Sequence, residues 1–237
     1  MRPKVPYDAE VEWLSSGGTA YIDSGLLGCD GIGFEVTGKG ASAWTQGYAT
    51  GWRNDYQNPS DKKWTFVCQT SNQYRGIGYC VGLGRLSNIT NVDVGNGLQT
   101  RFVSYGIDTY TGNLTFEGDI KATGIYLPLA QQSPYPTLKV FAMDSTNSST
   151  SPTISSNDYK IARMVFTIKG ATVRDFQPVR FTNELGQSEG AMYDSVSGQL
   201  FRNAGTGAFV IGPDKYPQVF TPVMTLHNYA KKERTSP

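Results

Sequence analysis

Lys160-Ile161-Ala162-Arg163-Met164-Val165-Phe166-Thr167-Ile168-Lys169-Gly170 is the stretch that decides the fold. Ala162, Met164, Phe166 and Ile168 fall on every second position, with Arg163, Val165 and Thr167 between them. An extended strand with that alternation buries one face and turns the other toward water. Lys169-Gly170 reads as a tight turn and Thr172 to Val179 as the returning strand. Pro178 has no N–H to donate to a ladder and is expected at that strand's end or on a sheet edge.

The same period of two recurs outward from this hairpin, at Thr19 to Ser24, Ile32 to Thr37, Trp64 to Thr70, Gln99 to Tyr105, Asn113 to Phe116, Leu138 to Met143, Gly190 to Asp194 and Phe209 to Ile211. Turn signals such as Asn96-Gly97, Thr111-Gly112-Asn113 and Ser197-Gly198 separate these runs. No window of about 11 residues carries a helical stripe, so the fold class is all-β. About ten or more short strands at this spacing predict a two-sheet antiparallel β-sandwich or jelly roll, a closed barrel being the alternative. The Ser-, Thr- and Asn-rich stretch from Asp144 to Asp158 is expected to be exposed, and either mobile or used for contact.

Composition narrows the function classes. The chain has 237 residues, 17% of them charged, and a net charge of +1. That balance lacks the basic excess of a nucleic-acid footprint. The single histidine, His227, leaves zinc chemistry and histidine-based triads without their central residue. Cys29, Cys68 and Cys80 form no CxxC spacing and read as reduced core thiols, although Cys68 and Cys80 are able to meet across paired strands. The opening Met1-Arg2-Pro3-Lys4-Val5-Pro6 lacks the apolar run of a secretory signal, and no stretch reaches the ~18 apolar residues of a membrane helix. The expectation is a soluble, non-secreted product with no membrane partner.

Two stretches carry a family resemblance. Glu10-Val11-Glu12-Trp13-Leu14-Ser15-Ser16-Gly17-Gly18-Thr19-Ala20-Tyr21-Ile22-Asp23-Ser24-Gly25 resembles the opening of a concanavalin A-like, laminin-G-like domain found in gut-bacterial surface proteins and in phages of such bacteria. Val173 to Arg180, Gly190 to Phe201 and Asn203 to Phe209 look like that family's ending. The resemblance implies a concanavalin A-like jelly roll over residues 10–214 whose first and last strands pair. Residues 1–9 and 215–237 are then N- and C-terminal arms, the latter carrying Val219, Phe220, Val223, Met224 and Leu226 for docking. Arg174 and Asp175 read as surface or sheet-end residues in a structural turn. Gly198, Gly205 and Gly207 read as turn glycines with positive φ.

Three constellations bear on chemistry. Glu117-Gly118-Asp119-Ile120-Lys121 approaches the ExDxE strand motif of sandwich glycosidases but places Lys121 at the third acid, so it reads as an exposed charged strand or hairpin. Asp93 with Asn91 and Asn96, or Asp144 with Asn147, offers oxygen ligands to calcium, yet such residues also serve as turn formers. No calcium site is assigned and no cofactor is expected. The richest signal is the aromatic and amide content from Trp44 to Tyr79. There Trp44, Trp52, Tyr56 and Tyr74 are the candidate carbohydrate-binding residues, while Trp64, beside Phe66, reads as core. The N-glycosylation patterns at Asn88, Asn113 and Asn147 read as chance matches.

With the resemblance, these readings give the expectation of a non-enzymatic phage virion protein. It would decorate capsid or tail in multiple copies, contact other virion proteins through its arms and bind glycans with its lectin-like domain. A carbohydrate-binding adhesion protein of a bacterial surface is the alternative. A glycoside hydrolase comes third, because no carboxylate pair is placed for it.

Overall fold

The computed structural model describes residues 5–40, 47–53, 64–71, 76–83, 90–94, 97–126, 137–145, 152–155 and 159–216. In chain order the strands are β1 (Ala9–Glu10), β2 (Leu14–Ser15), β3 (Ile22–Leu27), β4 (Ile32–Lys39), β5 (Gly47–Arg53), β6 (Trp64–Ser71), β7 (Gly76–Leu83), β8 (Thr90–Asp93), β9 (Val103–Asp108), β10 (Asn113–Phe116), β11 (Asp119–Ala122), β12 (Thr137–Val140), β13 (Ala142–Ser145), β14 (Thr153–Ile154), β15 (Lys160–Ile168), β16 (Ala171–Thr182), β17 (Ser188–Asp194), β18 (Gln199–Phe201) and β19 (Val210–Ile211). One helical turn, α1 (Gly97–Thr100), precedes β9.

Among the described residues these strands form two sheets. The first runs β11-β10-β9-β4-β15-β16-β17-β18, with β1 added to β16, β2 to β15 and β19 to β2. The second runs β14-β13-β5-β6-β7-β8, and β12 joins β3 to β5. Pairing is antiparallel except for a short parallel contact in which Asp144 and Ser145 of β13 face Trp52 and Arg53 of β5. The sheets enclose one core. Phe34, Val36, Tyr105, Ile107, Met164, Phe166 and Phe176 of the first sheet share it with Ile22, Ala49, Ile77, Leu138 and Val140 of the second. Each large side chain buried there contributes about 1.5–3 kcal/mol. Phe166 and Phe176 meet edge-to-face at 6.1 Å, as do Phe176 and Phe201 at 5.0 Å. The molecule is an antiparallel β-sandwich consistent with a jelly roll, as the alternation predicts.

The deciding hairpin forms with Lys169 at φ +50° and Gly170 at φ +80°, the paired left-handed conformation of a two-residue turn that suits strand twist. Its core face differs in one place. Between Ile161 and Arg163 the β15–β4 register shifts, so Ala162 is an extra bulged residue and Ile161, fully buried, takes the core position expected for Ala162. Pro178 lies inside β16 rather than at its end. The missing donor costs nothing there, because β15 stops pairing at Phe176 and β1 begins at Val179. Pro178 is left in the gap, where its carbonyl accepts the Val11 N–H at 3.1 Å.

Three further expectations are corrected. Gln99 and Thr100 belong to α1, and the strand begins only at Val103. The run from Leu138 to Met143 breaks at Phe141, whose φ of +69° divides β12 from β13. Gly198 has the expected positive φ of +71°, but Gly205 and Gly207 are fixed by space instead. A Cβ on Gly205 would overlap the Thr19 carbonyl oxygen, and one on Gly207 the Thr19 hydroxyl.

The two ends of the sandwich are stitched together. Leu14 and Ser15 pair with Ile211 and Val210, Val11 bridges Asp214, Glu12 N–H donates to Pro213 O at 2.8 Å, and Lys215 N–H to Glu10 O at 2.9 Å. Arg180 clasps Asp214 through Nη2 at 2.8 Å. The expected boundary at residue 9/10 falls inside β1, and Tyr7 packs on Tyr193 with ring centroids 5.1 Å apart. Together with Val179, Phe181, Ala191 and Leu200 they form a small second apolar cluster.

Candidate functional site

The segment singled out for sugar binding forms β5, β6 and β7, three adjacent strands of the second sheet. Trp52 lies in β5 opposite Phe66, and Trp64 opens β6 opposite Leu83. Trp44, Tyr56 and Tyr74 lie outside the described residues, as do the side chains of Trp52 and Trp64. The register sets Cys68 against Tyr79 and Cys80 against Val67, so the two cysteines are not cross-strand partners. Of the calcium candidates, Asn91 and Asp93 fall in β8 and Asp144 in β13, while Asn96 and Asn147 lie outside the described residues. Among the described residues no group of three His, Cys, Asp or Glu is placed to hold a metal. Likewise, no helix among them is long and apolar enough to cross a membrane.

The near-glycosidase motif makes the β10–β11 hairpin. Glu117, at φ +51°, occupies its turn, where Arg101 binds it bidentately and holds its carboxyl below the usual range. Asp119 takes Lys121 at 3.1 Å on an exposed edge strand. Arg174 and Asp175 are not in a turn but in the middle of β16. Arg163 donates to both carboxylate oxygens of Asp175 at 2.9 Å, and this pairing is the main reason its carboxyl sits below the ordinary value. Beside them, the fully buried Asp194 accepts the Asp175 N–H at 2.8 Å, the Val196 N–H at 3.2 Å and the Ser197 hydroxyl at 2.6 Å. Arg174 Nη1 stands 3.5 Å from its carboxylate. These groups tie β16 to the β17–β18 turn and leave each acid spoken for.

Two concavities stand out among the described residues. A cleft of about 520 Å³ lies where β17 meets the chain after β18, lined by Gln187, Ser188, Glu189, Arg202 and Asn203 above Phe209. Asn183 organises its rim, its side-chain oxygen accepting the Leu185 and Gln187 N–H groups, both at 2.9 Å. Asn203 is consumed by structure, accepting from Tyr21 N–H at 3.1 Å and Gly205 N–H at 2.8 Å. The Arg202 guanidinium lies 4.7 Å from the Phe181 ring centroid.

The second concavity is a groove of about 240 Å³ on the face of the first sheet away from the core. Glu35, Gly106, Asp108, Thr111, Asn113, Thr115 and Thr167 line it, drawn from β4, β9, β10, β15 and the β9–β10 turn. Asp108 shapes that turn, accepting Tyr110 N–H and Thr111 Oγ1–H, both at 2.9 Å. Tyr110 and Tyr126 are 58% and 57% exposed. The Tyr126 ring rests on Gly112, where an added Cβ would stand 2.5 Å from Cζ, and Gly112 takes φ +75° between the lining residues Thr111 and Asn113. Sequence reasoning missed this groove. Thr111-Gly112-Asn113 was legible only as a turn, and Glu35 and Thr167 arrive from distant strands.

Groove and stitched ends occupy opposite ends of one strand. Ser15 pairs with Lys160 at the start of β15, whereas the groove residue Thr167 pairs with Gly33 near its end. With Ala162 bulged out, the six steps from Lys39 to Gly33 on the partner strand β4, at ~3.3 Å each, separate the two rows by about 20 Å. The cleft sits near the stitched end, since its Gly190 pairs with Arg180. Comparison with protein-family models finds no match, and a search of curated proteins finds no relative.

Proposed function

We propose that the chain is a non-enzymatic structural and adhesive protein of a phage particle. It displays a lectin-like, laminin-G-like sandwich from capsid or tail and adheres to glycans of the host surface. The observation that carries this reading is the layout just described: Glu10 and Lys215, near the two ends of the described chain, lie side by side at one end of the sandwich, about 20 Å along the sheet from the groove at the other. A module that is anchored at one end and exposes a recognition surface at the other has this form. The likeness of Glu10 to Gly25 and Val173 to Phe209 to the family of bacterial and phage surface domains supports the same reading. Supporting the non-enzymatic part, Glu117 and Asp119 are each engaged by a cation, Arg101 and Lys121 respectively.

In this reading residues 1–9 and 215–237 contact other particle proteins, and many copies act together, so weak single-site affinities add through avidity. Mass spectrometry of density-purified particles beside host envelope fractions tests it. Stoichiometric recovery in the particles is expected, and the copy number relative to the major shell protein separates shell decoration from tail. Recovery confined to the envelope would replace it with adhesion at a bacterial surface.

A further inference from the structure

We propose that the groove between β4, β9, β10 and β15 is a binding site for a single neutral pyranose unit, with the exposed Tyr126 ring, seated on Gly112 between the lining residues Thr111 and Asn113, as the aromatic neighbour at its edge. The assignment deepens the adhesive half of the reading above and does not depend on the particle half.

A pyranose ring offers two surfaces of opposite character: C–H faces that pack on a flat aromatic ring, and an equatorial belt of hydroxyls that need donors and acceptors. Pockets that hold such ligands combine an apolar wall with a few placed polar groups. The groove supplies the polar groups and the neighbouring Tyr126 ring the flat apolar face. Tyr126 is fixed on Gly112, so an exposed ring is held in place before any ligand arrives, which limits the side-chain entropy lost on binding. Glu35 brings a carboxylate, Asn113 an amide, and Thr111, Thr115 and Thr167 hydroxyls. Gly106 leaves part of the floor as bare backbone, because a Cβ there would overlap the Phe34 carbonyl. At about 240 Å³ the space is smaller than the roughly 300–1,000 Å³ of drug-sized pockets and suits one ring.

Charge selects within the sugars. Two carboxylates, Glu35 and Asp108, line the groove. The guanidinium that interacts with Glu35, Arg163, is engaged at both carboxylate oxygens of Asp175 at 2.9 Å. A uronic or sialic acid would therefore bring a third negative charge to a site whose nearby cation is already committed. Neutral hexoses and N-acetylhexosamines meet no such repulsion, and vicinal hydroxyls donate well to a carboxylate. The larger cleft is less suited, since Asn203 there is fully used in holding the loop.

The test is an amide NMR titration of the full chain with the methyl glycosides of glucose, galactose, mannose and N-acetylglucosamine, and with glucuronate and N-acetylneuraminate as anionic counterparts. Saturable shifts at Gly106, Gly112, Asn113 and Thr167 are expected with at least one neutral glycoside, at a Kd on the order of 1 mM. Tyr126→Ala and Glu35→Gln are each expected to weaken that binding at least about fivefold. Leu185→Ser, in the exposed β16–β17 turn, leaves it unchanged. Glu35 is exposed, so its variant keeps the test decisive if Tyr126→Ala fails to fold. The proposal is overturned by silence at these amides with every neutral glycoside at about 20 mM, by preference for the anionic sugars, by shifts centred on β5 to β7, or by undiminished binding in both variants. None of these results alters whether the protein is recovered in particles.

Discussion

Replacing Asp194 by Ala should destabilise the fold far more than its place beside an exposed turn suggests. The carboxylate is fully buried and serves the Asp175 and Val196 N–H groups, the Ser197 hydroxyl and, at 3.5 Å, the Arg174 guanidinium. Residues 195–199 are exposed, so water can replace the acceptor for Val196 and Ser197. It replaces it poorly for the Asp175 amide, which sits within β16, and for Arg174, which is 24% exposed over the Phe201 ring. An orphaned amide costs about 1–3 kcal/mol and a lost bond to a charged group about 1.5–3. The sum for Asp194→Ala is roughly 3–5 kcal/mol. Asp194→Asn, which keeps one acceptor oxygen, should cost about 1–2 kcal/mol, and Ser197→Ala, which removes one water-replaceable bond, about 0.5–1. Urea unfolding with linear extrapolation reads all three, and calorimetry should show Tm falling by about 2–4 °C per kcal/mol at this chain length. A cost for Asp194→Ala below about 1 kcal/mol, or a reversed order of the three variants, would refute the claim that this carboxylate locks β16 to the β17–β18 turn.

Two other outcomes follow from the same structure. Gly207→Ala and Gly205→Ala should each cost about 1–3 kcal/mol by overpacking. A double-mutant cycle with Thr19→Gly should recover much of the first loss, where the obstacle is the Thr19 side chain, and little of the second, where it is the Thr19 backbone carbonyl. The Asp175 carboxyl is held below its ordinary value of 3.8, first by the hydrogen bond from Arg163, so the folded state favours the ionised form. Its contribution is therefore present above that value and lost as pH falls through the lower folded pKa. With Arg163 54% exposed, the pair is worth no more than about 1 kcal/mol. The stability gap between wild type and Asp175→Asn should be constant from about pH 7 to 5 and close below about pH 4. A gap that widens on acidification would show the pair to be misread.

What the sequence made legible was whatever is local. Period-two alternation located β15 and β10, and Lys169-Gly170 announced its turn because a two-residue hairpin needs left-handed φ at both positions. What it hid was set by partners distant in the chain. The Ala162 bulge exists only as a mismatch with β4, and Pro178 is tolerated because β15 hands the ladder to β1 beside it. Gly205 and Gly207 are required by the path of Thr19, nearly the whole chain away, rather than by their own dihedrals. The groove follows the same rule. The aromatic residue beside it, Tyr126, is one among many, and composition drew attention to the Trp44 to Tyr79 segment instead. The β4–β9, β4–β15 and β9–β10 registers together bring Glu35, Thr167 and Asn113 alongside Asp108.

The pairing of Leu14 with Ile211 sets the order in which the molecule comes into being. Closing a loop of roughly two hundred residues costs on the order of 5 kcal/mol in chain entropy beyond the constant term, so this pair is a late reward and a poor nucleus. During synthesis β2 emerges early and waits while the rest of the sheet is made. Until β19 appears, Leu14, fully buried in the finished sandwich, lacks its last neighbour. Among the described strands, the sheet is thus sealed where the chain is fastened, once β19 is available to β2.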